Sequence, residues 1–354
     1  MDQAVTQVAA PARLTFISAT PANVRQGSGT FIGIAALRRA LLALGHEVEM
    51  AAPAQASPAL WRRLWFNWRL RQRLRLPAEA VVVGFDLDGL LLPAAGVAAI
   101  KGVIAEEMQF EHGWVRARLE VAARLERLRV RQARRVIATS RYAAAALQRR
   151  YGVGAEKIRI VPELLDVDAW QGEIAAARVL PHTRPVILCV AHLYPRKDVA
   201  TLLRAIVRLP EAAHLRVVGD GPERKRLQRL AARLRLGDRV HFCGHVARGE
   251  LAVEYRNADV FCLPSRQEGF GIVLLEAMAA GLPIVAARAA AIPEVVADCG
   301  RLFPPGDAAA LAEQLQNLLE DGNTRLAMAA SGSARVRRFE AARVAEDFLA
   351  ALSA

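Results

Sequence analysis

Short apolar runs alternate with longer amphipathic stretches along almost the whole chain. Runs rich in Val, Ile, Leu and Phe predict strands at 14–18, 47–50, 80–84, 97–104, 136–140 and 158–162. A second series predicts strands at 186–190, 215–219, 240–245, 258–263 and 283–287. Helical spacing of apolar positions predicts helices at 31–44, 61–76, 114–134, 141–151, 199–208 and 222–236, with a terminal set reaching residue 352. Strands apolar on both faces, each followed by a helix, are the pattern of a parallel sheet covered on both sides. The stretch 166–184, with Asp166, Asp168, Trp170, Gly172 and Pro181, reads as a linker. The fold class is α/β, with two doubly wound, Rossmann-like domains over 1–165 and 185–338.

Composition narrows the class. Of the residues, 53% are hydrophobic and 23% charged, as in a soluble globular protein. The longest apolar stretches are interrupted, as 81–100 is by Asp86 and Asp88, so none supplies the ~20 apolar residues of a membrane span. The first residues lack a basic segment followed by an apolar one, so a cytoplasmic location is expected. Cys189, Cys243, Cys262 and Cys299 are scattered without zinc or redox spacing and read as free thiols. The net charge of +13 is almost all arginine, since Lys101, Lys157, Lys197 and Lys225 are the only lysines. Such a balance favours anionic partners (a nucleotide, a phospholipid surface or nucleic acid) without choosing among them.

Candidate chemistry concentrates between residues 258 and 283. The strand at 258–263 runs through Pro264-Ser265-Arg266-Gln267-Glu268-Gly269-Phe270-Gly271 into an apolar helix that stops at Gly281 with Pro283 beyond. Backbone N–H groups at such a helix start, here Gly271 and Ile272, favour phosphate. Gly269 and Gly271 flank Phe270 and let the backbone approach a ligand closely. Glu276 interrupts the apolar helix about 6 Å from its start, at ~1.5 Å per residue, and a carboxylate there needs a partner. Glu268 is placed to accept hydroxyl bonds from a sugar; a helix cap plus a satisfied core Glu would account for the same two residues. The loop 191–198 offers His192, Arg196 and Lys197 as cations. Near the start, Gly27 and Gly29 open a strand–helix–strand unit but miss the dinucleotide spacing G-x-G-x-x-G. Asp86-Leu87-Asp88 at a strand end could bind a divalent metal in another fold; here a metal-free role at an acceptor cleft is expected.

The block SRQEGFGIVLLEAMAAGLPIVA, in which seven residues separate Glu268 from Glu276, resembles the signature of retaining glycosyltransferases of family 4. The segments GHEV and VIATSRYAAAAL are similar to that family too. The resemblance implies the GT-B architecture: two domains facing one cleft, with a last helix, 339–354, crossing back onto the first domain. It implies a nucleotide-diphosphate sugar as co-substrate, a hydroxyl-bearing acceptor, no cofactor and no metal. Glu268 would hold the transferred sugar, Glu276 the ribose, and Lys197 the diphosphate. Gly27 and Gly29 would lie near the phosphates, with Gly219, Gly244 and His245 at the base. Two departures stand out. His192 occupies the place of the family's Arg, so either a protonated His192 or Arg196 must replace it, or the site is dead. The first-domain strand end reads Ile100-Lys101-Gly102 where the family carries His, which leaves Lys101 and Glu107 as candidates for the catalytic contact.

The stretch from Trp61 to Leu76 places Trp61, Leu64, Trp65 and Trp68 at helical spacing among arginines. It reads either as a helix packed on its own domain or as a peripheral contact with an anionic membrane face. An inactive nucleotide-sugar-binding relative is the alternative to an enzyme. Nucleic-acid binding rests on charge alone and is not expected at physiological salt.

Overall fold

A computed structural model describes residues 12–19, 29–53, 60–73, 80–92, 96–181 and 184–353. Strands β1 (Arg13–Ile17), β2 (Glu47–Ala51), β3 (Val81–Phe85), β4 (Val97–Ile100), β5 (Arg135–Ala138) and β6 (Ile158–Ile160) form one parallel sheet, ordered β2-β1-β3-β4-β5-β6. Strands β7 (Val186–Val190), β8 (His214–Val218), β9 (Val240–Gly244), β10 (Val260–Leu263), β11 (Ile284–Ala287) and β12 (Gly300–Phe303) form a second, ordered β12-β11-β10-β7-β8-β9. In each sheet the chain builds outward one way, returns to the centre and builds the other way. The reversals fall between β1 and β3 and between β7 and β10. Crevices at such reversals are where doubly wound sheets hold ligands.

The strand at 97–104 is shorter than its apolar run. After Ile100 the chain turns at Lys101-Gly102 and enters a short helix, Ile104–Glu107. Ile104 N donates to Glu126 Oε2 and Ala105 N to the Tyr151 hydroxyl, so apolar residues there cover buried polar bonds instead of extending the ladder. The stretch 166–184 contains a helix, Val167–Ala176, capped by Asp166, whose Val167, Trp170 and Ile174 lie in the second core.

The chain passes between domains twice, and the two passages touch: Leu165 N donates to Phe339 O at 3.0 Å. The last helix, Ala341–Ser353, returns Val344, Phe348 and Leu352 to the core of the first sheet. Phe348 meets Phe16 edge-on at 6.0 Å.

The arginine-rich helix spans Leu60–Arg73. Its Trp61, Trp65 and Trp68 are 65%, 52% and 52% exposed, so the tryptophans are not packed on their own domain. Buried instead is Asn67, which donates to Asp88 Oδ1 at 3.1 Å and accepts from Gly89 N.

Candidate active site

The reversal in the second sheet brings two loops together. The loop after β7 ends in a helical turn, Pro195–Lys197, and Arg196 O accepts from Arg266 N in the loop after β10. This tie places Lys197 Nζ 2.5 Å from Glu268 Oε1, with side chains 14% and 9% exposed. The helix that follows, Ile272–Ala279, is apolar except for Glu276 because it packs between sheet and neighbouring helices. Its N-cap Gly271 has φ 95°, no side chain caps it, and Gly271, Ile272 and Val273 line a cavity.

That cavity encloses about 630 Å³ and lies between the domains, within the ~300–1,000 Å³ of small-molecule sites. From the second domain it takes His192, Arg196, Lys197, Gln267, Glu268 and Phe270, and from the first Arg63, Asp86, Lys101, Glu107 and Arg118. The domains meet at its floor. Gly269 O accepts from Thr139 Oγ1 at 3.2 Å and Ser140 Oγ at 2.8 Å. A Cβ on Gly269 would lie 2.5 Å from Lys101 O. Beside this contact, Glu294 accepts from Arg141 N, at the N-terminus of the helix Arg141–Tyr151.

The first-domain candidates are already paired. Lys101 Nζ bonds Glu163 Oε2 at 2.8 Å, and the helix Gly29–Ala43 comes close to that carboxylate at Gly33. Glu107 reaches across the cleft to Arg196 at 3.4 Å. Asp86 lines the cavity with its backbone in the left-handed region (φ 54°) and Oδ1 accepting from Lys101 N. Burial pushes its carboxyl up to about 6. Asp88 is different: fully buried, it accepts from Arg63, Asn67 and Ala19 N, so only Asp86 of the pair faces the cleft.

Several second-domain candidates sit off the cavity wall. Glu276 is buried one helical turn in, and its Oε2 accepts from the Tyr255 hydroxyl at 3.0 Å. Burial pushes its carboxyl up to about 7. Ser265 is buried and its Oγ has no partner among the described residues. Gly219, at φ 121°, donates from its N to Gly244 O at 2.7 Å and leaves no room for a Cβ against Ala191 O, so both glycines serve close packing of the strand ends; His245 beside them is exposed. Gly29 starts its helix, and Gly27 lies outside the described residues. His192 lines the cavity, where burial and the nearby Lys197 lower its pKa from the usual 6.5. Arg196 lines the same cavity.

Residues 171–335 match the sequence profile described as glycosyl transferases group 1, and residues 27–169 that of glycosyltransferase family 4. A GDP-mannose-dependent alpha-(1-6)-phosphatidylinositol monomannoside mannosyltransferase of Mycolicibacterium smegmatis is 33% identical over 69% of this chain and 67% of its own length. The chain belongs to glycosyltransferase family 4. It is a hexosyltransferase, and a D-inositol 3-phosphate glycosyltransferase of Xylanimonas cellulosilytica is also similar, 36% identical over 58% of this chain and 53% of that one. The sucrose-phosphate synthase of Thermosynechococcus elongatus superposes with a TM-score of 0.81 at 23% identity, covering 97% of this chain and 98% of that one. The fold of this family 4 enzyme is thus GT-B, as the paired sheets indicate.

Gln267, Thr139, Ser140 and Glu163 were not singled out from sequence. The one signal for Gln267 was its place beside Glu268; Thr139 and Ser140 emerge only once the domains meet, and Glu163 only once the first domain folds it against Lys101.

Proposed function

We propose that the enzyme moves a sugar from a nucleotide-diphosphate donor to an acceptor hydroxyl with retention at the anomeric carbon. The observation that carries this reading is the Lys197–Glu268 pair at the sheet reversal, beside an uncapped helix start in the interdomain cavity. As the glycosidic bond breaks, negative charge builds on the leaving diphosphate. Lys197, Arg196 and the N–H groups after Gly271 are fixed charges and dipoles aimed at that place, which lowers the barrier without reorganisation. These cations do the work a metal would otherwise do. Glu268 accepts hydroxyl bonds from the transferred sugar. Glu276 takes the ribose through the carboxylate oxygen that Tyr255 does not hold.

The acceptor enters from the first domain, past Arg63, Asp86 and Arg118. The activity of the mycobacterial relative, GDP-mannose-dependent and directed at a phosphatidylinositol mannoside, supports a glycolipid acceptor and a GDP-sugar donor. Exposed Trp61, Trp65 and Trp68, with arginines between them, support docking on an anionic membrane face. Among the described residues no helix is long and apolar enough to cross a membrane. His192, whose pKa burial and the nearby Lys197 lower, favours one second reading, a nucleotide-sugar binder with weak turnover.

The test is a thermal-shift panel of UDP-, GDP- and ADP-sugars, since a ligand of the native state raises its melting temperature, followed by product analysis by NMR. Retained anomeric configuration, with turnover abolished in Glu268→Ala and Lys197→Ala, is expected. Tight donor binding by the wild type without transfer to any acceptor selects the second reading.

A further inference from the structure

Gln267 is 2% exposed and lines the cavity beside Glu268. Neither its Nε2 nor its Oε1 has a hydrogen-bond partner among the described residues. Buried polar groups are paired in the great majority of cases, and an unpaired one bears its full desolvation cost. The polar groups of its chain neighbours Arg266, Glu268 and Gly269 are engaged elsewhere. Arg266 N bonds Arg196 O, the Arg266 guanidinium lies over Phe110, Lys197 holds Glu268, and Gly269 O takes Thr139 and Ser140.

We propose that Gln267 is a specificity-determining contact for the transferred hexose: Nε2 donates to one hydroxyl oxygen, and Oε1 accepts from the neighbouring hydroxyl. The inference rests on the donor reading above. An amide presents donor and acceptor side by side, which a vicinal diol satisfies at both ends. A phosphate offers acceptors only and would leave Oε1 unpaired. The place next to Glu268, the residue assigned to the transferred sugar above, fits the diol.

Binding of GDP, UDP, GDP-mannose and UDP-glucose is measured on the wild type and on Gln267→Met, which keeps the length of the side chain and removes both polar atoms. Nucleotide alone should bind both proteins equally, and the preferred sugar nucleotide should bind the variant about 10-fold more weakly. The variant's melting temperature should not fall. Deoxy analogues of the preferred sugar nucleotide give a reading on the wild type alone: loss of one of the two hydroxyls should weaken binding there and not in Gln267→Met. Equal binding of the sugar nucleotide by both proteins overturns the inference. So does an equal loss for nucleotide alone, which would put the amide on the ribose or the phosphates, or a wild type indifferent to every deoxy analogue. A wild type that binds none of the four probes overturns the donor reading and this inference with it, and is recognised before any substitution is made.

Discussion

Ser140 Oγ donates to the carbonyl of Gly269 at 2.8 Å, so a first-domain helix cap holds the loop that carries Glu268. Thr139 Oγ1 adds a second bond to the same oxygen. Because Ser140 also caps its own helix, Thr139→Val and Gly269→Ala are the cleaner probes. Thr139→Val should lower kcat/KM about 3- to 10-fold, the usual worth of one hydrogen bond. Gly269→Ala should lower it further, because its Cβ would meet Lys101 O at 2.5 Å and push the domains apart. Steady-state kinetics beside donor titration checks both; unchanged kcat/KM in Gly269→Ala would show that the contact does not matter to turnover.

Lys197 and Arg196 should separate by kind of effect. Lys197→Met removes a preorganised charge and should cost about 10²- to 10³-fold in kcat. Glu107→Gln releases Arg196 from a partly exposed pair, so affinity for a nucleoside diphosphate should rise about 2- to 5-fold, as befits a pair worth under ~1 kcal/mol. Calorimetry with GDP and UDP measures it.

Glu126 gives the fold a pH dependence. Burial pushes its carboxyl from 4.5 up to about 8, only partly opposed by the bonds from Tyr151 and Ile104 N. The folded chain therefore keeps a proton that the unfolded chain releases. This contribution is complete below pH 4.5, declines as pH rises, and is gone above about 8. Asp86 and Glu276 act with the same sign, so Glu126→Gln isolates the term. Relative to wild type, the variant should gain up to about 1.4 kcal/mol per pH unit across that window, read from urea melts at pH 5 and pH 8.

Flotation with anionic liposomes should recover the wild type and lose Trp65→Glu/Trp68→Glu. Both tryptophans are half exposed, and the Arg69 guanidinium lies 4.6 Å from the Trp65 ring. Recovery of the double variant would assign the helix to some other contact.

The β/α alternation and the parallel sheets follow from local apolar patterning and were legible in the sequence; that Lys197 and the Glu268 loop share one site came only from the resemblance to family 4, and their ion pair was not foreseen. The partnerships across the cleft were not. Glu107 with Arg196, and Thr139 and Ser140 with Gly269, join residues far apart in the chain, as Lys101 with Glu163 does within the first domain, and nothing in their own neighbourhoods marks them. The tryptophan helix was ambiguous for a related reason: a regular stripe gives a period but not which side the domain takes, and here the polar Asn67 is the buried side.

Phe348 and its neighbours pack into the core of the first sheet, although they are made after the whole second sheet. During synthesis the opening strands leave the ribosome well before the segment that seals them. Their oily surface stays uncovered while the whole second half is translated, a state prone to aggregation. A nascent chain stalled before residue 341 should thus lean on chaperones, and the first half made alone should need the helix Ala341–Ser353 supplied to it.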